Sequence, residues 1–249
     1  MIEIRPITGI GEIEKGEDLG GILARALAPI APKSSDFLVV TQKVVSKAEG
    51  QMVALEDVVP GQRATEIAGA IGKDPRLVEL VLAESVEVLR AERGVLITRH
   101  RLGLVMANSG IDCSNVGAGS GERALLLPLD PDASAERIAD AVEALCGVRP
   151  GVVISDSFGR PWRNGVVNVA VGCAGVPSIH DKRGETDRDG RTLQATLIAY
   201  GDLIASAAGL AMGEADEGVP AVLIRGLTLS GAPQPASALV RAVEEDLFR

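Results

Sequence analysis

Apolar positions along the chain recur at two spacings. Alternation, or a short apolar run closed by turn residues, predicts strands over 2–7, 37–45, 95–107, 152–155, 166–171 and 221–224. The segment 95–107 is long enough to fold back as a hairpin, with Arg101 to Gly103 near its turn. Apolar residues three and four apart predict helices over 19–27, 63–71, 76–90, 135–145, 192–212 and 236–247. Ser134 is placed to cap the fourth helix, and Gly147, just past Cys146, to end it. The fifth is apolar on most faces (Leu193, Leu197, Ile198, Leu203, Ile204, Leu210), as in a helix buried in a core or a subunit interface. The two kinds of element do not alternate regularly, which argues against a simple doubly wound sheet. No repeat of fixed period and no low-complexity tract interrupts the pattern. The stretch "LLLPLDPDAS", residues 125–134, carries two prolines and a turn, and is where a single 1–249 domain would divide into two subdomains.

Composition narrows this picture. A chain of 249 residues has room for one large domain or two small ones, and 46% hydrophobic content supports a sizeable core. Aromatics make up only 2%, so that core must be aliphatic. The net charge of −9 argues against nucleic acid as a partner. An anionic ligand would need metal ions or local Lys and Arg. Cys113, Cys146 and Cys173 are odd in number and show no CxxC spacing, as expected of reduced thiols in a cytoplasmic protein. His100 and His180 stand alone, against a histidine-rich zinc site. The opening "MIEIRPITGI" lacks the basic start and apolar run of a secretory leader, and no stretch has the length of a membrane span.

Four stretches could carry chemistry. In "VVISDSFGRPWRNG", residues 152–165, an apolar strand runs into Asp156 between Ser155 and Ser157, then Gly159, Arg160 and Arg163. A carboxylate at a strand's carboxyl end sits where ligands bind in α/β sheets, and Asp with hydroxyls suits Mg²⁺ or Mn²⁺ rather than zinc. The arginines could meet phosphate or carboxylate. An Asp that caps a turn, followed by surface arginines, is an equal alternative. In "ANSGIDCSNVG", residues 107–117, Asp112 and Asn115 follow an apolar strand. They read as turn residues, or as a second carboxylate and an amide for a pair of divalent ions. "TQKVVSKAEG", residues 41–50, places Lys43 and Lys47 four apart beside Gln42 and Ser46. These are solvated lysines or phosphate-binding point charges. "MGEADEGVPAVLIRG", residues 212–226, sets Glu214, Asp216 and Glu217 just past a helix, where the dipole disfavours acid unless a cation or an exposed loop accommodates it. Generic nucleotide signals are missing: there is neither GxxxxGK[ST] nor a strand followed by GxGxxG. "GAGSG", residues 117–121, reads as a mobile loop, and "GETDRDGR", residues 184–191, as a solvated turn, a lid or a substrate-contacting loop.

The motifs "VVTQKVVSKAEG", "NSGIDCSNVG", "ISDSFGRPWRNG" and "MGEADEGVPAVLIRG" together resemble the F420-0:γ-glutamyl ligase family in order and spacing, from "ITGIGEIEKGEDL" to the closing "EEDLFR". The resemblance implies an α+β fold of two mixed α/β subdomains in an intertwined homodimer. It implies an enzyme that uses GTP as substrate and Mg²⁺ or Mn²⁺, with a monovalent cation such as K⁺, to join L-glutamate to the deazaflavin precursor F420-0 or a related acceptor, and then extends a γ-linked tail. Carried over by position, Asp112, Asp156, Ser157 and Glu214 resemble metal ligands. Ile10, Gly11, Glu12, Ile13, Gln42, Lys43, Lys47, Asn115, Met212, Gly213, Ala215, Asp216, Glu217, Gly218 and Val219 resemble the GTP site. Arg160 and Arg163 are candidates for the anionic substrates. The implied route runs through an acyl phosphate that the glutamate amine displaces, with no residue assigned as general base. Two other readings stay open: a ligase of the same fold acting on a different carboxylate, and a non-catalytic nucleotide-binding protein, against which the acids at 112, 156 and 214 weigh.

Overall fold

The computed structural model describes residues 1–114 and 122–246. At its centre lies a five-stranded sheet in the order β1 (Glu3–Pro6), β12 (Ala221–Arg225), β2 (Phe37–Thr41), β8 (Gly151–Arg160) and β9 (Arg163–Ala174). All neighbours are antiparallel except β2 and β8, which run parallel from Phe37 beside Gly151 to Thr41 beside Ser155. The continuous apolar runs of β2 and β8 have a simple cause: helices cover both faces. Leu38, Val40, Val152 and Ile154 point to one face and pack with α1 (Leu19–Leu27) and α5 (Pro131–Cys146). Val39 and Val153 point to the other and pack with Ile204, Ala205 and Ala208 of α6 (Tyr200–Met212).

The chain leaves this sheet after α2 (Gln42–Ala48) and builds a third core. Its parts are a ribbon of β3 (Met52–Ala54) with β7 (Arg123–Leu125), two helices, α3 (Gln62–Ile71) and α4 (Pro75–Ala83), and a three-stranded sheet of β4 (Ser85–Glu92), β5 (Val95–His100) and β6 (Val105–Ala107). Leu55, Ala68, Val78, Val81, Leu96 and Ala124 meet there. A short pair, β10 (His180–Asp181) with β11 (Leu197–Ile198), precedes α6. The architecture is mixed α/β, and among the described residues no helix is long and apolar enough to cross a membrane. The three cysteines are free thiols.

Several sequence expectations need correction. The strand expected over 37–45 stops at Thr41, and the lysine pair rides on α2 instead. The helix expected over 76–90 ends at Ala83, and Ser85–Glu92 alternates as the strand β4, with two register shifts against β5. The helix expected over 192–212 begins only at Tyr200, because Leu197 and Ile198 pair with β10. The expected C-terminal helix is two short 3-10 turns, Ala236–Leu239 and Val243–Glu245. The first is fixed by the Asp132 carboxylate, which accepts from Ala236 N at 2.7 Å as well as from Cys173 N at 2.8 Å. The α5 cap is Asp130 rather than Ser134: Asp130 Oδ1 accepts from Ala133 N at 3.0 Å, and Pro131 fills the first helical position. Ser134 instead donates to Glu49 and to the Asp130 carbonyl. Gly147 does end the helix, at φ 73°, the left-handed conformation that glycine takes without strain. The segments 152–155 and 166–171 are the inner parts of the longer hairpin β8–β9, and the 95–107 hairpin turns where expected.

Candidate active site

The parallel ladder between β2 and β8 stops at Thr41 and Ser155. There β2 turns into α2, while β8 continues with β9 as its partner and a register shift falls between Ile154 and Ser155. Such an irregularity re-aims the side chains that follow it. Asp156 is the first residue past the ladder. It does not end the strand, as the sequence pattern suggested, but it does stand at the carboxyl end of the parallel pair.

Asp112 reaches the same place from the third core. Asn108, Ser109 and Gly110, at φ 52°, 50° and 68°, form a left-handed turn just before it. Such a conformation costs a non-glycine residue roughly 1–3 kcal/mol and persists only where its surroundings enforce it. Here the buried Ser109 hydroxyl shares a 2.6 Å hydrogen bond with Thr98 Oγ1. Beyond the turn, Asp112 N donates to the Leu125 carbonyl at 3.0 Å, and Leu125 N donates back at 2.8 Å. Lys43 Nζ, from the first turn of α2, pairs with Asp112 Oδ2 at 2.6 Å and donates to Ser114 Oγ at 3.2 Å.

The two carboxylates respond oppositely to this environment. Burial raises the Asp156 carboxyl to about 7, and the nearby negative charge of Asp112 adds to the rise, against the Ser157 amide, Lys43 and Gln42. Burial also pushes Asp112 up, but its hydrogen bonds from Lys43 and Ser114 outweigh that and hold it below the usual carboxylate range. Two acids share one positive neighbour, and the lysine favours Asp112.

A second cluster adjoins the first. Ser157 Oγ donates to Glu214 Oε2 at 2.6 Å, and Asn168 Nδ2 reaches both Ser157 Oγ at 3.2 Å and Glu214 Oε1 at 3.1 Å. Asn168 lies on β9, opposite Ser157 in register. Its side chain fits because residue 209 of α6 is glycine: a Cβ there would stand 1.6 Å from Asn168 Oδ1. The sequence reading missed Asn168. Its only signal was a polar residue inside the apolar run "VVNVAV".

Lys43, Asp112, Asp156, Ser157, Arg160 and Glu214 line a cavity of about 1070 Å³, together with the apolar Met106, Ile111, Phe158 and Trp162. The other expected site residues lie around this cavity or apart from it. Arg163, at the start of β9, is exposed and outside the lining. Gln42 is buried and accepts from Ser46 Oγ at 2.9 Å. Lys47 sits one turn after Lys43, and its Nζ lies 3.0 Å from Glu12 Oε2, which ties the Ile10, Gly11, Glu12, Ile13 segment to α2; Ile13 itself is buried in the core. Met212 and Gly213 close α6, with Met212 Sδ 3.9 Å from Ser155 Oγ. Ala215, Asp216, Glu217, Gly218 and Val219 form the turn into β12, held in part by a 2.8 Å bond from Ala215 N to Glu217 Oε2. Asn115 and the glycine-rich 117–121 segment lie outside the described residues. Among the described residues, no three of His, Cys, Asp and Glu converge on one point as a metal cage: the acids are divided between the two adjoining clusters.

The family model described as F420-0:Gamma-glutamyl ligase matches residues 9–226. Proteins named Coenzyme F420:L-glutamate ligase are similar over the whole chain. The one from Methanopyrus kandleri is 41% identical and covers 100% of this chain and 98% of its own. That from Methanothermobacter thermautotrophicus is 42% identical over 100% and 99%, and that from Archaeoglobus fulgidus 42% identical over 100% and 96%. The chain belongs to the F420-0:γ-glutamyl ligase family.

Proposed function

We propose that this protein joins L-glutamate to the F420 precursor F420-0 with GTP as the energy source, and then extends a γ-linked glutamate tail. The observation that carries the reading is the large cavity, whose lining is divided between oxygen donors with cations and apolar side chains. That division suits a reaction between phosphates and carboxylates on a substrate that also bears a flat apolar ring system. In this reading the acceptor carboxylate attacks the γ-phosphate, which gives an acyl phosphate and GDP. The glutamate amine then attacks the acyl carbon, phosphate leaves, and the amide forms. Lys43 and Arg160 hold phosphate or carboxylate oxygens, and the apolar side chains orient the acceptor and exclude water. The family resemblance assigns Ile10 to Ile13, Gln42, Lys47 and the turn from Met212 to Val219 to the nucleotide, together with Asn115, which lies outside the described residues.

The donor set fits a hard divalent ion. It is all oxygen, from Asp112 and Asp156 in one cluster and Ser157 and Glu214 in the adjoining one, and a cation would offset the desolvation that raises the Asp156 carboxyl to about 7. Mg²⁺ or Mn²⁺ bound there would neutralise charge on the phosphates, with K⁺ as a further, monovalent ion. We read the third core as a second subdomain, joined where the chain returns near 125–134. The protein acts as a cytoplasmic homodimer in this account. Leu203 and Leu210, 58% and 86% exposed on α6, support an apolar face covered by a second copy. The test is mass spectrometry of F420-0 after incubation with the protein, GTP, Mn²⁺ and L-glutamate. Products heavier by one or more glutamyl residues, with GDP formed in step, are expected. An unchanged acceptor with all components present would overturn the reading.

A further inference from the structure

A second, smaller cavity of about 310 Å³ adjoins the large one, and Val105, Phe158 and Asp246 line both. Its walls carry two cations, Arg99 and Arg241, and two acids, Asp202 and Asp246. Arg99 projects from β5, and its side chain is only 8% exposed. Its Nε donates to Glu87 Oε2 at 3.3 Å, but its NH2 is buried with no hydrogen-bond partner among the described residues. Asp246 Oδ2 stands 3.8 Å from that nitrogen, too far for a hydrogen bond. A buried guanidinium donor without an acceptor carries part of the desolvation cost of a charged group, which an acceptor bound in the cavity would remove. Across the same cavity, Asp202 sits in the first turn of α6, where its Oδ1 accepts from Ala170 N at 3.0 Å. Burial holds its carboxyl above the usual range, and a bound cation would reverse that.

Asp246 already stands beside Arg99, and the remaining set, two guanidinium groups and the Asp202 carboxylate, complements a ligand with two carboxylates and one ammonium. The volume lies at the small end of ligand sites. We propose that this cavity binds the amino-acid co-substrate, an α-amino dicarboxylate, with Arg99 and Arg241 on its carboxylates and Asp202 on its ammonium. The inference rests on the ligase reading only for the identity of that amino acid, L-glutamate. The shared wall of Val105, Phe158 and Asp246 then places the bound amino acid in the cavity next to the one where the activated acceptor carboxylate would lie.

The test is calorimetric titration of L-glutamate into the full-length protein loaded with Mg²⁺ and a non-hydrolysable GTP analogue. Wild type is compared with Arg99→Gln, Arg241→Gln and Asp202→Asn, and glutarate, which lacks the amine, serves as the second probe. Each arginine substitution removes a charge-assisted hydrogen bond and is expected to weaken L-glutamate binding by roughly tenfold or more. Asp202→Asn is expected to erase the preference for L-glutamate over glutarate. In turnover, KM for glutamate rises by the same factors while KM for GTP stays within about twofold, which a merely structural role would not produce. If Arg99→Gln fails to fold for want of its pair with Glu87, the exposed Arg241 decides. Wild type that does not bind L-glutamate, or folded variants that bind it unchanged, would overturn the proposal. Ligation with unaltered KM in the variants removes the small cavity and leaves the ligase reading standing. Binding that depends on these residues without ligation removes the ligase reading and leaves the cavity standing.

Discussion

Strand β8 is two different objects along one length. From Val152 to Ile154 it is fully buried, sandwiched between α1 and α5 on one face and α6 on the other. From Asp156 to Arg160 it has lost β2 as a neighbour, its residues are half-buried or exposed, and they line the large cavity. The change takes one residue, Ser155, where the parallel ladder ends and the register against β9 shifts. The inner half holds the outer half in place. An exposed hairpin would not fix a carboxylate well enough to do chemistry, whereas one that continues a rigid buried strand does. Substitutions in the two halves should therefore separate stability from activity.

The largest effect is expected at Asp156. Asp156→Asn keeps the shape and removes the charge, and turnover with F420-0, GTP and glutamate should fall by roughly a thousandfold or more, the scale of losing a key charge-stabilising group. Its melting temperature without metal should be no lower than that of the parent, because a carboxylate disfavoured by burial has become neutral. Near-normal turnover at saturating Mn²⁺, or a large loss of stability, would break the division between the halves.

Two residues earlier the expectation reverses. Ile154→Ala empties a fully buried position and should cost about 2–5 kcal/mol in urea unfolding. The KM values of the variant that remains folded should hardly move. A selective rise in KM for GTP, with stability intact, would mean that the inner half touches the site directly.

The next effect concerns a residue that sequence reasoning did not reach. Asn168→Ala removes the amide that holds Ser157 and Glu214 together; if these two side chains hold the metal, losing the group that orients them costs roughly 10–100-fold in metal affinity. Mn²⁺ titration followed by thermal shift in the presence of a GTP analogue reads this directly, since metal bound to the native state raises its melting temperature. Gly209→Ala should mimic it by pushing the Asn168 side chain aside. If Asn168→Ala binds Mn²⁺ like wild type, the second cluster is a surface network with no bearing on metal.

These cases also show what a sequence makes legible. Asp112, Asp156, Ser157 and Glu214 stood out because acids and hydroxyls abut apolar runs, and the structure brings all four to one cavity. Lys43 belonged to the same pattern, though its segment turned out to be helical. Asn168 was hidden because its partners are set by the β8–β9 register and by the room at Gly209, neither of which is a local property. Arg99 was hidden for a similar reason: its burial and its neighbours Glu87 and Asp246 come from distant parts of the chain, Asp246 from the C-terminal segment that sequence periodicity read as a helix. Apolar runs at 37–45 and 76–90 misled because each joins a strand to a helix without a proline or glycine between them.

The smallest effects sharpen the comparison most, because they change one property at a time. Val153→Thr alters polarity in the inner half at nearly constant shape. The new hydroxyl would face Ile204 and Ala208 in a region closed to water, and it should cost about 1–3 kcal/mol with activity unaltered in the folded fraction. Ser157→Thr does the reverse in the outer half. It adds a methyl and keeps the hydroxyl that bonds Glu214, at an exposed strand position that favours a β-branched residue. Turnover within roughly threefold of wild type and stability within about 0.5 kcal/mol are expected. Ser157→Ala, which is smaller and has no hydroxyl, is the control that must lose activity and Mn²⁺ response. If Ser157→Ala equals Ser157→Thr in both, the hydroxyl has no role. The outer half of β8 would then owe its chemistry to Asp156 alone, and Ser157 would be no more than a strand residue between two cavity-lining side chains.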